Sequence, residues 1–163
     1  MSINKEGHSI KYKIIAYLIA SRNFGWLNAA VFFFLAIWRV ENVFPIYESV
    51  LGLLSLAFIG IAASFINHIF DKELDVVSGK KVIWIFNFIS IKELIFVSCL
   101  FSCIGLILLF FVNLFVFLLG LLLIIFSLLY SMPPLRLKIH PPLDLIPNVF
   151  MIGVVPFLIG WLS

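Results

Sequence analysis

Residues 94–130 contain no charged side chain, and this run limits the possible folds more than any other feature of the sequence. One helical crossing of a bilayer needs about 20 apolar residues, so the run is too long for a single span. Asn113 lies near its middle and predicts a tight turn between a helix at residues 94–112 and another at residues 114–130. The sequence therefore predicts two consecutive membrane-crossing helices that meet at Asn113.

The composition supports a membrane protein along the whole chain. Of its 163 residues, 64% are hydrophobic and 12% are charged, whereas a soluble domain has about 25% charged residues. Further apolar runs at residues 24–38, 50–70 and 143–162 raise the expected number of spans to about five. Cys99 and Cys103 are interpreted as packing residues of the third span. We predict an all-α polytopic transmembrane helix bundle, a single domain over residues 1–163 with an interfacial segment at residues 1–21.

The distribution of basic residues predicts the orientation of the bundle. With five spans, ten of the eleven basic residues fall on one side and only Arg39 on the other. Because cytoplasmic loops are enriched in Lys and Arg, we expect the N-terminus and the connections at residues 71–93 and 131–142 to be cytoplasmic. Topology thus explains the net charge of +3, and no nucleic-acid partner is expected. The ten residues are Lys5, Lys11, Lys13, Arg22, Lys72, Lys80, Lys81, Lys92, Arg136 and Lys138.

A polar motif lies at the end of the second apolar run. Asn67, Asp71 and Asp75 are spaced i, i+4, i+8, so on an α-helix each is rotated by only about 40° from the one before and all share one face. Their oxygens are the ligands that Mg²⁺ prefers, and Mg²⁺ usually completes its shell with water and phosphate oxygens. The motif therefore indicates a diphosphate-bearing substrate. The alternative is an ordinary solvated helix end. His68 is interpreted as a hydrogen-bond partner or a surface residue rather than as a metal ligand.

A basic segment follows the fourth apolar run. Pro133 and Pro134 predict the end of the helix, because proline removes a backbone donor and disfavours helical angles in the residue before it. Arg136 and Lys138 follow, and a guanidinium and an ammonium both suit a phosphate. The alternatives are that these cations only set the topology and that Tyr130 only belongs to the interfacial aromatic belt.

These motifs together resemble the UbiA-type intramembrane prenyltransferases. Residues 67–75 are similar to the family's first aspartate-rich motif, N-D-x-x-D-x-x-x-D, with His68 in place of the usual first Asp. Residues 87–93 resemble the connection that begins the third helix, and residues 130–138 resemble the basic segment after the fourth. The resemblance covers roughly residues 20–163.

The resemblance implies a Mg²⁺-dependent prenyltransferase. It implies that Asn67, Asp71 and Asp75 hold Mg²⁺ and that an isoprenyl diphosphate donor binds there, with Asn67, Tyr130, Arg136 and Lys138 as substrate-binding residues. Asp71, Asp75, Arg136 and Lys138 are the implied catalytic residues: the two carboxylates would hold Mg²⁺ on the diphosphate, and the two cations would stabilise the leaving pyrophosphate. Ionisation of the donor would give an allylic carbocation, which a lipophilic or aromatic acceptor captures within the membrane lipid.

The family's second aspartate-rich motif has no counterpart in the sequence. Such enzymes are typically nine-helix bundles with this motif beyond the fifth helix, whereas the only acidic residues after Asp75 are Glu93 and Asp144. The chain therefore resembles the N-terminal half of an enzyme. We expect a fragment, a split subunit or a decayed gene product that is catalytically silent without a C-terminal half or partner subunit. The alternative function is a non-catalytic membrane component that binds a prenyl lipid or needs a partner chain.

Overall fold

The computed structural model describes residues 5–21, 25–40 and 46–163, and all regular structure within these ranges is helical. The predicted all-α fold is therefore confirmed. Two short 3₁₀ helices, Lys81–Asn87 and Leu137–Ile139, lie in the connections, and the π-helix Phe150–Val154 joins the last two α-helices. The α-helices are α1 (Lys5–Ala20), α2 (Gly25–Val40), α3 (Ile46–Val77), α4 (Ile91–Val112), α5 (Leu114–Ser131), α6 (Leu145–Val149) and α7 (Val155–Leu162).

Four helical stretches of the described chain are long and apolar enough to cross a membrane. They are Ile46–Val77, Ile91–Val112, Leu114–Ser131 and Leu145–Leu162. The predicted first span corresponds to α2, whose apolar stretch Leu27–Trp38 is shorter than these four. The predicted second span is longer than expected, because α3 continues for two turns beyond Phe70 and carries the acidic motif.

The structure confirms the predicted turn at Asn113, between α4 and α5. Its side-chain Oδ1 accepts a hydrogen bond of 2.9 Å from the backbone N–H of Val116, which satisfies a donor that the start of α5 would otherwise leave unpaired. Its Nδ2 donates a hydrogen bond of 2.8 Å to the backbone carbonyl of Leu162. The α4–α5 corner is therefore tied to the end of α7.

The main core lies between α2, α3, α4, α5 and α7, and α3 packs most extensively against α4. Ser55 on α3 donates a hydrogen bond of 2.8 Å to the carbonyl of Gly105 on α4. Gly105 permits this close approach because it has no side chain, as is common between membrane helices. The buried core residues are Phe33, Ile37, Leu56, Ile59, Leu109, Val116, Leu123, Val155 and Ile159.

A second buried cluster attaches α1 to the bundle. Lys13 on α1 forms an ion pair with Glu93 on α4, and this hydrogen bond raises the pKa of the Lys13 ammonium. Glu93 and Ser90 also form a reciprocal capping box at the start of α4. The interfacial role of residues 1–21 stays a prediction; residues 1–4 lie outside the described ranges. The cluster consists of Ala16, Ala20, Phe65, Ile85, Ile89 and Leu94.

The prediction that Cys99 and Cys103 are packing residues is wrong. Both side chains are exposed on the surface of α4. A helix that is apolar on every side carries no periodicity that separates its packed face from its outer face, so the sequence did not reveal their orientation.

The last span has irregular helical geometry in its middle. The π-helix Phe150–Val154 ends two residues before Pro156. Proline has no backbone N–H, and its ring clashes with the carbonyl of the residue four positions earlier, here Ile152. The wider π turn is therefore found where proline would disrupt a regular α-helix. Two residues of this turn, Met151 and Ile152, line a cavity beside α3 and α5.

Candidate functional site

The site forms where the end of α3 meets the segment that follows α5. The helix α5 ends at Ser131, as the two prolines predicted, and the backbone N–H of Arg136 donates to the carbonyl of Met132 at 3.0 Å. Arg136 has a positive φ of 38°, in the left-handed region that costs a non-glycine residue about 1–2 kcal/mol. This turn brings Arg136 and Lys138 to the face of α3.

Asp71 is the centre of an ion-pair cluster. Its Oδ1 lies 2.8 Å from Nη2 of Arg136 and 2.7 Å from Nζ of Lys138. Arg136 Nη2 also donates to the carbonyl of Phe70 at 2.9 Å. The side chains are only 24% exposed for Asp71, 18% for Arg136 and 11% for Lys138. Two cations thus share one carboxylate in a mostly buried place, which leaves an excess positive charge that favours an anion.

Asn67 joins the same cluster through its amide oxygen. Asn67 Oδ1 accepts hydrogen bonds from Ser131 Oγ at 2.7 Å and from Lys138 Nζ at 2.8 Å. Burial lowers the pKa of the Lys138 ammonium, and its hydrogen bond with Asp71 opposes this shift. The structure therefore brings together four of the predicted site residues: Asn67, Asp71, Arg136 and Lys138. Ser131 was not predicted, and its only signal in the sequence was its position beside Tyr130.

Asp75 lies apart from this hydrogen-bonded cluster. Its carboxylate is buried and accepts from Lys80 Nζ at 2.6 Å, and the Lys80 backbone N–H donates to the Asp75 carbonyl at 3.1 Å. Asp75 therefore does not fit the alternative of a solvated helix end. His68 is half-buried and hydrogen-bonds to the backbone of Ala20, which links α3 to α1.

The chemistry of the donor set fits a divalent cation that is shared with a phosphate. Within the described ranges, no three His, Cys, Asp or Glu side chains are grouped so that they could hold a metal ion. However, Asn67 Oδ1 and Asp71 Oδ1 both contact the Lys138 ammonium nitrogen, so two hard oxygen donors already surround one cationic centre. Mg²⁺ needs few protein ligands when phosphate and water supply the rest. The assignment of Asn67, Asp71 and Asp75 as metal ligands stays a prediction.

A cavity of about 230 Å³ opens beside the cluster, between α3, α5 and the π-helix. Tyr130, a predicted substrate-binding residue, lies in its wall together with Asn67 and Ser131, and these three give the wall a polar end. Asn148 also lines the cavity and was not predicted, since no motif marked it in the sequence. The apolar part of the wall consists of Ala29, Leu56, Ile59, Ala63, Leu123, Met151 and Ile152.

The UbiA prenyltransferase family model matches residues 27–163. A solved structure of a UbiA homolog from Archaeoglobus fulgidus bound to GPP and Mg²⁺ is 29% identical with a TM-score of 0.76, covering 90% of this chain and 53% of that one. The homolog bound to DMAPP and Mg²⁺ gives 28% identity and a TM-score of 0.74, covering 89% and 53%. The chain thus spans about half the length of the structures that it matches. No curated protein matches its sequence.

Proposed function

We propose that this chain, which belongs to the UbiA prenyltransferase family, binds an isoprenyl diphosphate where α3 meets the segment after α5. It would take part in transferring the isoprenyl group to a lipophilic or aromatic acceptor within the membrane. One observation carries this proposal: a cluster with two cations for one carboxylate lies beside the polar end of an apolar cavity.

The cations of the cluster have the right properties to bind a diphosphate. Arg136 uses Nη2 for Asp71 and Phe70, whereas its buried Nε has no hydrogen-bond partner in the described part of the chain. A buried donor without a partner costs about 1–3 kcal/mol, so an arriving anion would gain that stabilisation. Lys138 adds a second positive charge beside it. Arg136 and Lys138 would then stabilise the charge that develops on the leaving pyrophosphate.

Asn67, Asp71 and Asp75 are the residues that would hold Mg²⁺, each through a side-chain oxygen. Bound there, the ion would neutralise part of the charge on the diphosphate and make the pyrophosphate a better leaving group. The matching structures of the Archaeoglobus protein contain GPP or DMAPP together with Mg²⁺, and this supports the same donor and metal for the present chain.

The cavity would hold the isoprenyl part of the donor. Its mostly apolar wall would accommodate the isoprenyl chain and limit the access of water to an allylic carbocation. Tyr130 and Ser131 lie at the polar end of the cavity, where the isoprenyl chain would join the diphosphate. Because the chain spans about half of each matching structure, we also propose that a C-terminal half or partner subunit supplies further groups to the site.

The orientation in the membrane is part of the proposal. The contact between Asp71 and Arg136 places the end of α3 and the 131–142 connection at the same end of the bundle. The contact between Lys13 and Glu93 likewise joins α1 to the start of α4. We propose that this shared end is cytoplasmic, because it carries most of the basic residues. One of these basic residues, Arg22, lies outside the described ranges.

The proposed function is tested by replacing Asp71. In the full polypeptide, reconstituted in lipid nanodiscs, Asp71→Asn should weaken Mg²⁺-dependent binding of radiolabelled geranyl diphosphate by about tenfold or more, since it removes a charge next to the metal while keeping the shape of the side chain. Asp144→Asn is the matched control, because Asp144 lies in the connection before α6 and has no contact with the cluster in the described structure.

Two outcomes would count against the proposal. If Asp71→Asn binds the diphosphate as well as the unmodified protein does, the metal and donor assignment fails. If the unmodified protein binds prenyl lipids but no diphosphate, the alternative of a non-catalytic membrane component is favoured.

A further inference from the structure

Lys138 contacts the same two oxygens that are proposed to hold the metal. Its Nζ lies 2.7 Å from Asp71 Oδ1 and 2.8 Å from Asn67 Oδ1. Ser131 Oγ donates to the same Asn67 oxygen at 2.7 Å, which helps to hold the amide in this orientation. The ammonium group therefore bridges a carboxylate oxygen and an amide oxygen that lie one helical turn apart.

An ammonium group and a divalent cation compete for these two oxygens. Asn67 Oδ1 already accepts from Ser131 and Lys138, and two positive charges a few ångströms apart in a mostly buried place repel each other. Binding of a metal through these two oxygens therefore favours movement of the Lys138 ammonium away from them.

Lys138 and Arg136 differ in how easily they can move. Arg136 Nη2 contacts both Asp71 and the backbone carbonyl of Phe70, so one of its contacts remains when Asp71 binds something else. Lys138 contacts only the two side-chain oxygens in the described structure. It is a compact point charge on a flexible four-carbon stem, so it can turn towards a phosphate while its backbone stays in place.

We propose that Lys138 is an internal substitute for the metal ion: in the substrate-free protein it neutralises the Asp71 carboxylate and donates a hydrogen bond to Asn67, and it moves to the diphosphate when Mg²⁺ and the diphosphate bind together. This inference rests on the proposed function, because it takes the Asn67–Asp71 pair as the metal site. Its consequence is a coupling between ligands: the metal alone binds weakly, and the diphosphate strengthens metal binding because it accepts the displaced ammonium.

The coupling can be measured without any prenyl transfer. Mn²⁺ binding to the full polypeptide in nanodiscs would be followed by electron paramagnetic resonance of the free ion, with and without inorganic pyrophosphate. For the unmodified protein, pyrophosphate should raise the Mn²⁺ affinity by about 5- to 150-fold beyond the contribution of Mn²⁺–pyrophosphate association in solution.

Lys138→Met removes the competing charge and keeps an unbranched side chain of the length of the lysine stem. It should bind Mn²⁺ alone about tenfold more tightly than the unmodified protein does, with a correspondingly smaller effect of pyrophosphate. Lys138→Gln keeps a hydrogen-bond donor for the two oxygens and should change the affinity in the same direction, so it replaces the Met variant if that variant does not fold. Lys92→Met is the control for the loss of one positive charge, since Lys92 is exposed at the start of α4.

The outcomes separate this inference from the proposed function. Unchanged Mn²⁺ affinity in Lys138→Met and Lys138→Gln would overturn the inference, and so would an equal gain in Lys92→Met. In either case the proposed function would still stand if Asp71→Asn abolished Mg²⁺-dependent binding of geranyl diphosphate. If Asp71→Asn had no effect on that binding, the metal site itself would be misassigned and both would fail.

Discussion

Replacing Gly160 by alanine should destabilise the contact between α2 and α7. Gly160 lies against the backbone of Phe33, and a Cβ atom added there would collide with the Phe33 carbonyl oxygen and come within 3.1 Å of its carbonyl carbon. A backbone carbonyl cannot rotate away as a flexible side chain can. The two helices must therefore separate, and the buried Phe33, Val155 and Ile159 lose part of their packing.

The size of the effect follows from two opposing terms. Overpacking of a close contact costs about 1–3 kcal/mol, and the upper part of this range applies because the obstacle is backbone. Alanine in a helix gains about 0.5–1 kcal/mol over glycine, so the net loss should be about 1–2.5 kcal/mol. Gly153→Ala is the matched control in the same span, since a Cβ atom there meets nothing within 4 Å. It should be neutral or stabilising, by up to about 1 kcal/mol.

The two variants would be compared by unfolding in mixed detergent micelles with increasing dodecyl sulfate, followed by far-ultraviolet circular dichroism. The expected difference in the free energy of unfolding is about 1–3.5 kcal/mol, with Gly160→Ala the less stable variant. Equal stability of the two variants, or a lower stability of Gly153→Ala, would refute the argument that Gly160 is required for the approach of α7 to Phe33.

Two further predictions concern the turn at Asn113 and the topology. Asn113→Ala should lower the free energy of unfolding by about 1–2 kcal/mol, because the N-cap of α5 and the hydrogen bond to the Leu162 carbonyl are both lost. The exposed Asn28→Ala, in the same unfolding assay, should have little effect, and a loss as large as that of Asn113→Ala would contradict the capping role. A cysteine at the exposed Ser78, introduced after Cys99 and Cys103 have been replaced, should react only with thiol reagents that reach the cytoplasm. Labelling by an impermeant reagent added outside intact cells would reverse the proposed orientation.

The sequence predicted the elements of the fold because membrane helices are specified by local properties. The charge-free run at residues 94–130 and the single Asn113 within it were sufficient to place α4, α5 and the turn between them. The prolines at 133 and 134 marked the end of α5 in the same way. The i, i+4 spacing of Asn67 and Asp71 placed both on one face of a helix, and that face does meet Lys138.

Contacts between distant parts of the chain were decided by the tertiary structure. The i, i+4, i+8 spacing gave no indication that Asp75 pairs with Lys80 while Asp71 pairs with Arg136 and Lys138. The pairing of Lys13 with Glu93 was likewise not predicted. Each of these pairs depends on how helices are placed beside one another, and uniformly apolar helices carry little periodicity from which to infer that placement.

By itself, the sequence determined that the chain is a helical membrane protein with an amide and two carboxylates at the end of one helix and two cations after another. Hydrophobicity, helix-ending residues and side-chain spacing are local, so they can be read without knowing the fold. Only the tertiary structure decided that Lys138 contacts both Asn67 and Asp71, that Ser131 supports Asn67, and that a cavity opens beside them. These features arise because α3, α5 and the turn at Arg136 meet at one end of the bundle, and that meeting depends on the packing of whole helices.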